Sequence, residues 1–184
     1  METVPAFAHG DRLTRRDLES ITDERRRYEL VDGTLLVSPS PRPLHQRVVA
    51  RVLAALTPGC PAECEVLPAP VDVVLDEHTV LIPDVVIGRR ADFTERALVG
   101  VPVLAVEVVS PSSRHIDRYL KPATLARAGC PHYWVIDPKA PSMSWFRLDG
   151  DAYSAVGEVF DDEIAEIEQP YALTMRPSDL VSDY

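Results

Sequence analysis

The sequence has almost no lysine: 17 of its 19 basic residues are arginine, leaving only Lys121 and Lys139. It has only three cysteines, Cys60, Cys64 and Cys130. That odd number cannot close a disulfide framework, and no second Cys/His pair completes a tetrahedral zinc set with Cys60 and Cys64. The thiols therefore read as buried or idle groups in a reducing compartment. Long apolar runs are missing as well. Residues 101–109 form one of the longest, yet Glu107 interrupts it and it falls far short of the roughly 18 residues a membrane span needs. The opening METVPAFAHGDR has no basic region followed by an apolar one, so no signal peptide and a cytoplasmic location are expected.

What is present is the composition of one folded domain. The 184 residues are 46% apolar and 26% charged, enough to bury a core without metal or disulfide staples, and no repeat or low-complexity linker divides them. A single domain over residues 1–184 is expected. The net charge of −10 is unevenly placed: residues 1–60 carry +1, residues 61–147 carry −2, and residues 148–184 carry −9. An acidic chain is a poor non-specific ligand for nucleic acid, because phosphate neutralisation dominates that affinity. A local basic surface on the first 147 residues remains open.

Thr14 followed by Asp17 resembles a capping box opening a helix to about Arg26. Residues 28–31 and 34–37 around Asp32-Gly33 predict a hairpin. The Ser38-Pro39-Ser40-Pro41 break leads into a helix over residues 44–57, with Arg47 and Arg51 on a solvated face. Strands are predicted at 63–67, 71–75, 84–87 and 103–109, the last continuous enough in apolar residues to be covered on both faces. A helix from Ser112 or Ser113 to a Gly129 cap, then a strand at 132–136, makes a βαβ unit. A second hairpin at 144–148 and 152–156, and a strand near 164–167, complete an α/β fold: a mixed sheet flanked by helices.

Two acids lie where a core strand does not tolerate them idly. Asp84 follows Pro83 at the start of a Val-rich strand, and Glu107 interrupts another. Such a carboxylate must be paired, hydrogen-bonded, metal-bound or neutralised; a strand-end acid capped by an amide or arginine is the simpler alternative for each. Lys121 is a compact point charge in a chain that otherwise chooses arginine, although Asp117, four residues earlier, offers it an ordinary intrahelical pair. Two carboxylates and an ammonium are the parts of metal-assisted phosphodiester hydrolysis. The acids hold a hard divalent ion that keeps waters, and the ammonium stabilises charge developing on phosphorus.

In order along the chain, the pieces are Tyr28-Glu29-Leu30-Val31-Asp32-Gly33, Ser38-Pro39 with His45, Pro83-Asp84, residues 106–113, Asp117-Arg118 to Lys121, Ala128-Gly129 and residues 133–138. Together they resemble a widespread bacterial family, a domain of unknown function described as "putative restriction endonuclease", within the PD-(D/E)xK nuclease superfamily. The resemblance covers about residues 25–155. It implies a restriction-endonuclease-like core and a Mg²⁺- or Mn²⁺-dependent endonuclease cutting DNA, with RNA left open. It also implies Asp84 and Glu107 as metal ligands, the Val108 carbonyl as a third, and Lys121 as a catalytic lysine supplied from the helix because Val109 occupies the motif position. Glu29 matches the family's N-terminal acid, and His45 a residue contacting phosphate or serving structurally. A homodimer is expected, since related folds pair two sites against two strands. The alternative is a catalytically inactive nuclease fold acting as a binding or regulatory module. A third possibility is that the acidic segment 148–184 serves as a dimer surface or covers the cleft as a nucleic-acid mimic.

Overall fold

The computed structural model describes residues 12–23, 26–110 and 114–182. The capping box forms: Asp17 Oδ2 accepts the Thr14 N–H at 2.8 Å, and Thr14 Oγ1 accepts the N–H of Asp17. Helix α1, Arg15–Glu19, nevertheless stops well short of residue 26, because the Ser20 N–H turns back to the Asp17 carbonyl and β-branched Ile21 and Thr22 follow. β1, Arg27–Val31, and β2, Thr34–Ser38, form the expected hairpin, with Asp32 and Gly33 both at positive φ as a two-residue turn requires. α2, Pro43–Leu56, starts on a proline whose missing N–H costs nothing at a helix start.

β3, Cys64–Pro68, β4, Asp72–Asp76, β6, Val85–Arg89, and β8, Leu104–Val108, fall within two residues of the predicted strands. The three-residue strands β5, Thr79–Leu81, and β7, Ala97–Val99, are too short to leave a periodic signal. After α3, Lys121–Ala128, come β9, His132–Asp137, β10, Ser142–Asp149, and β11, Ala152–Phe160. β12, Ala165–Ile167, β13, Leu173–Met175, and α4, Pro177–Val181, close the described chain.

The strands divide between two larger sheets rather than one. The six-stranded sheet runs β11-β10-β9-β8-β6-β3, with β8 and β9 parallel; the five-stranded sheet runs β2-β1-β5-β4-β7; β12 and β13 pair separately. The chain passes between the two sheets several times, and one crossing is at Ile82-Pro83-Asp84, where proline has no N–H to continue a ladder. β8 is buried throughout and its side chains alternate: Leu104, Val106 and Val108 pack with the α2 stripe of Val48, Val49, Val52 and Leu56, while Ala105, with Val109 just past the strand, meets Leu125 of α3 and Tyr133.

The acidic tail belongs to the domain. Ala165, Ile167, Met175 and Leu180 are buried in the same cluster as α2. Arg51 is not simply solvated, since its Nη1 donates to the carbonyls of Asp179 and Ser182 at 2.9 and 2.8 Å and caps the end of α4. α3 ends at Gly129, whose φ of 91° only glycine adopts freely while its N–H caps the helix. Gly129→Ala is therefore expected to cost about 1 kcal/mol or more in denaturant unfolding, with the secondary structure unchanged.

Candidate active site

Side-chain alternation aims Glu107 at α3. With Leu104, Val106 and Val108 committed to the α2 side, Glu107 joins Ala105 and Val109 on the other. Lys121 begins α3, and its Nζ lies 2.9 Å from Glu107 Oε1 and 3.0 Å from Glu29 Oε1, with Asp117 Oδ1 at 3.7 Å. The intrahelical partner expected for Lys121 is thus the most distant of three. Glu29 Oε1 also accepts the N–H of Ile82 at 2.7 Å, which anchors β1 to the segment leading into Asp84. All four side chains are at most 3% exposed.

Asp84 is held by a second set of partners. Its Oδ1 accepts from Arg27 at 2.9 Å, while Oδ2 accepts the Val108 N–H at 2.9 Å and lies 3.1 Å from His45 Nε2. Val108, expected through its carbonyl, is tied to the site through its amide. Arg27 escaped the sequence reading, although it stands two residues before Glu29 on one strand and therefore shares its face.

Pro122 leaves the helix intact. Helical backbone runs from Arg114, while the expected starts, Ser112 and Ser113, lie outside the described residues. Residues Ile116–Leu120 form a wide π turn in which the Lys121 N–H bonds the carbonyl of Ile116 instead of that of Asp117. The displaced Asp117 carbonyl accepts the buried Tyr133 hydroxyl. The extra residue thus settles the backbone groups just before the proline and leaves the ammonium among the acids.

Charge in this cluster is unbalanced. Four buried carboxyls, Glu29, Asp84, Glu107 and Asp117, face two permanent cations, Lys121 and Arg27. Burial pushes Glu107 well above the carboxyl range despite the pull of Lys121, and Asp117, Asp84 and Glu29 add to the rise. For Asp84 burial acts upward, but the hydrogen bond and charge of His45, with Arg27, hold it well below its ordinary value. His45 answers in kind: burial works against its charge, and Asp84 overcomes this and raises its pKa. For Lys121 the neighbouring Glu107, Glu29 and Asp117 outweigh burial and keep the ammonium charged.

A cleft of about 460 Å³ opens onto these groups. Glu29, His45, Asp84, Glu107, Asp117 and Lys121 line it, the Ser38 to Arg42 loop forms one rim, and Pro138 with Lys139 forms another. No lining residue comes from 148–182, so the described part of the acidic tail does not cover the cleft, contrary to one expectation. Among the described residues no group of three or more His, Cys, Asp or Glu side chains could hold an ion by itself. The carboxylates still fit a hard cation. The second oxygen of Glu107 makes no hydrogen bond among the described residues, the cluster has surplus negative charge, and Mg²⁺ characteristically takes one or two carboxylates and keeps its waters.

Residues 15–175 match the family described as Uma2, "Putative restriction endonuclease". The chain belongs to the Uma2 family. The match runs from α1 through β13 and so takes in both larger sheets and every cleft residue named above. A crystal structure described as a putative nuclease belonging to DUF820 from Anabaena variabilis ATCC 29413 superposes with a TM-score of 0.74 at 14% identity, covering 92% of this chain and 97% of that one. At that identity the likeness establishes a shared fold. No curated protein matches the chain. The Uma2 chain is an α/β domain that shares the fold of that structure; among its described residues no helix is long and apolar enough to cross a membrane.

Proposed function

We propose that the protein is a Mg²⁺- or Mn²⁺-dependent endonuclease that hydrolyses DNA phosphodiester bonds in this cleft. The observation that carries the reading is the meeting of Glu29, Glu107 and Asp117 on the one buried lysine at the floor of an open cleft, with Asp84 lining it. Asp84, Glu107 and the Val108 carbonyl would hold the ion, which supplies a lowered pKa for bound water and screening of charge on the phosphate. Arg27, His45 and the Val108 amide orient Asp84 and keep it ionised. Lys121 offers a positive charge where the phosphorane becomes more negative, and Glu29 positions Lys121 and accepts a proton from attacking water. His45 lines the cleft from α2 with its Nε2 on Asp84, and on this reading its raised pKa adds positive charge beside the phosphate. Two copies of the chain would bring two such clefts to one DNA molecule.

A calorimetric Mn²⁺ titration of the wild type beside Glu107→Ala tests this, with plasmid cleavage followed in parallel. Binding and cleavage in the wild type, both absent in the variant, support the enzyme. Neither binding nor cleavage in the wild type, with DNA present or absent, overturns it. One observation favours a second reading, an inactive binding or regulatory module: the Lys121 ammonium already spends its donors on Glu29 and Glu107, with Asp117 beyond. On that reading Lys121→Ala changes no measured activity and partner binding survives Glu107→Ala.

A further inference from the structure

The helical segment that carries Lys121 has a second face. Asp117 and Lys121 turn to the cleft, whereas Arg118, Tyr119, Pro122, Ala123, Ala126 and Arg127 line a separate groove of about 480 Å³ between this segment and the β10–β11 hairpin. Its floor is aromatic: Tyr133 lies 6.4 Å from Phe146 and is stacked on Tyr153 at 5.6 Å, centroid to centroid. At its mouth Tyr119 is 65% exposed, far more than a tyrosine needs for packing, and it leans on the exposed His115 ring at 5.0 Å.

Charge on this segment has one sign. From residue 114 to residue 136 both anions and cations occur, but Asp117 and Lys121 are buried, and the charges that reach solvent are those of Arg114, Arg118 and Arg127. This holds in a chain of net charge −10. Buried Asp137 steadies Arg114 at 2.7 Å and Arg118 at 3.8 Å, while among the described residues Arg127 pairs with the exposed Asp32. A guanidinium held on one side by a carboxylate still presents its remaining donors outward in a rigid fork. One acid, Asp151 from the hairpin turn, lines the groove.

We infer that this groove binds a single, unpaired strand of nucleic acid, with a base stacked on Tyr119 and phosphates paired with Arg118 and Arg127. Aromatic rings interleaved with arginines are the chemistry by which single strands are held, because every base has a π face and stacking needs it free of a partner strand. A smooth duplex offers only backbone to such a surface. The inference deepens the proposed function: the groove and the cleft flank one helical segment, so a strand crossing it leaves one nucleotide's base in the groove and brings a neighbouring phosphate to the acids. The substrate class is then DNA with a single-stranded stretch, such as a flap, bubble or end.

Binding can be read without turnover. Fluorescence anisotropy in EDTA compares a labelled thymidine oligomer of about 20 nucleotides with a duplex of the same length, for the wild type, Tyr119→Ala and Arg118→Gln/Arg127→Gln. Tyr119→Ala is expected to weaken the single strand roughly tenfold and leave the duplex unchanged. The arginine pair is expected to flatten the dependence of log affinity on log salt by about 0.7 per charge removed. Tyr119 and Arg127 are exposed, so circular dichroism of these variants should match the wild type. Equal affinity of wild type and Tyr119→Ala for the single strand, or an equal loss on the duplex, overturns the inference. So does a Tyr119→Ala variant that changes only the oligomeric state in sedimentation. Each of these results leaves the metal titration, and with it the enzyme reading, to be judged independently.

Discussion

Lys121→Met is expected to destabilise the metal-free protein by about 3–5 kcal/mol in denaturant unfolding, the usual cost of removing one partner from a buried ion pair. Methionine nearly matches the volume, so the loss is electrostatic. Glu29, Glu107 and Asp117 stay in place, at most 3% exposed, with no cation among them. Protonation relieves part of this, which makes the deficit larger at pH 8 than at pH 5. Lys121→Arg is not expected to restore the wild type, because a planar fork does not fit a site shaped for one nitrogen within 3.0 Å of two separate glutamates. Divalent metal should recover part of the stability of Lys121→Met, since an ion bound by the folded state adds charge where it was removed. On the proposed function the same variant loses at least about a hundredfold in cleavage rate. Wild-type stability in Lys121→Met would mean that the acids are already neutral and that the ammonium plays no part in holding the fold.

Glu107→Gln should separate stability from function in the opposite direction. The amide keeps the shape and an oxygen for Lys121 but removes one negative charge from a cluster that has too many. The Glu107 carboxyl is pushed well above its ordinary value of 4.5, mainly by burial. The folded protein therefore holds that proton more tightly than the unfolded chain does. Its contribution to stability is full below pH 4.5 and is lost as pH rises from there toward the raised folded value. Metal-free Glu107→Gln should accordingly match the wild type in acid and exceed it by on the order of 1 kcal/mol at neutral pH and above. It should also lose Mn²⁺-dependent stabilisation and cleavage together. A variant less stable than the wild type at pH 8 would show that Glu107 is retained for the fold and not for a cation. A gain in stability paired with loss of activity is the mark of a site kept strained for function.

Much of the architecture could be read from local patterns. The Asp32-Gly33 hairpin, the α2 stripe and the Gly129 cap each follow from a turn residue or a period confined to a dozen neighbours, and the parallel β8–β9 pair follows from the strand–helix–strand order between them. α1 is shorter than its sequence suggests because the capping box announces where a helix starts and says nothing of where Ser20 turns back. β5 and β7 left no signal because three residues cannot show a period. The separation into two sheets was hidden for a related reason: Pro83 says that a ladder stops, not that the next strand joins another sheet.

The candidate site divides in the same way. An acid in a valine-rich strand announces itself, so Asp84, Glu107 and the rare Lys121 could be singled out from the sequence, with the parity of β8 deciding which side Glu107 faces. That Lys121 reaches Glu29 across about ninety residues of chain, that Arg27 and His45 both close on Asp84, and that a wide turn absorbs Pro122 and hands the Asp117 carbonyl to Tyr133 were decided by tertiary structure alone. Spacing along a chain carries information about one helix or one strand, whereas a charge is balanced by whatever packing brings within a few ångströms, and in a buried site that distance sets both the protonation state and the cost of leaving a partner out.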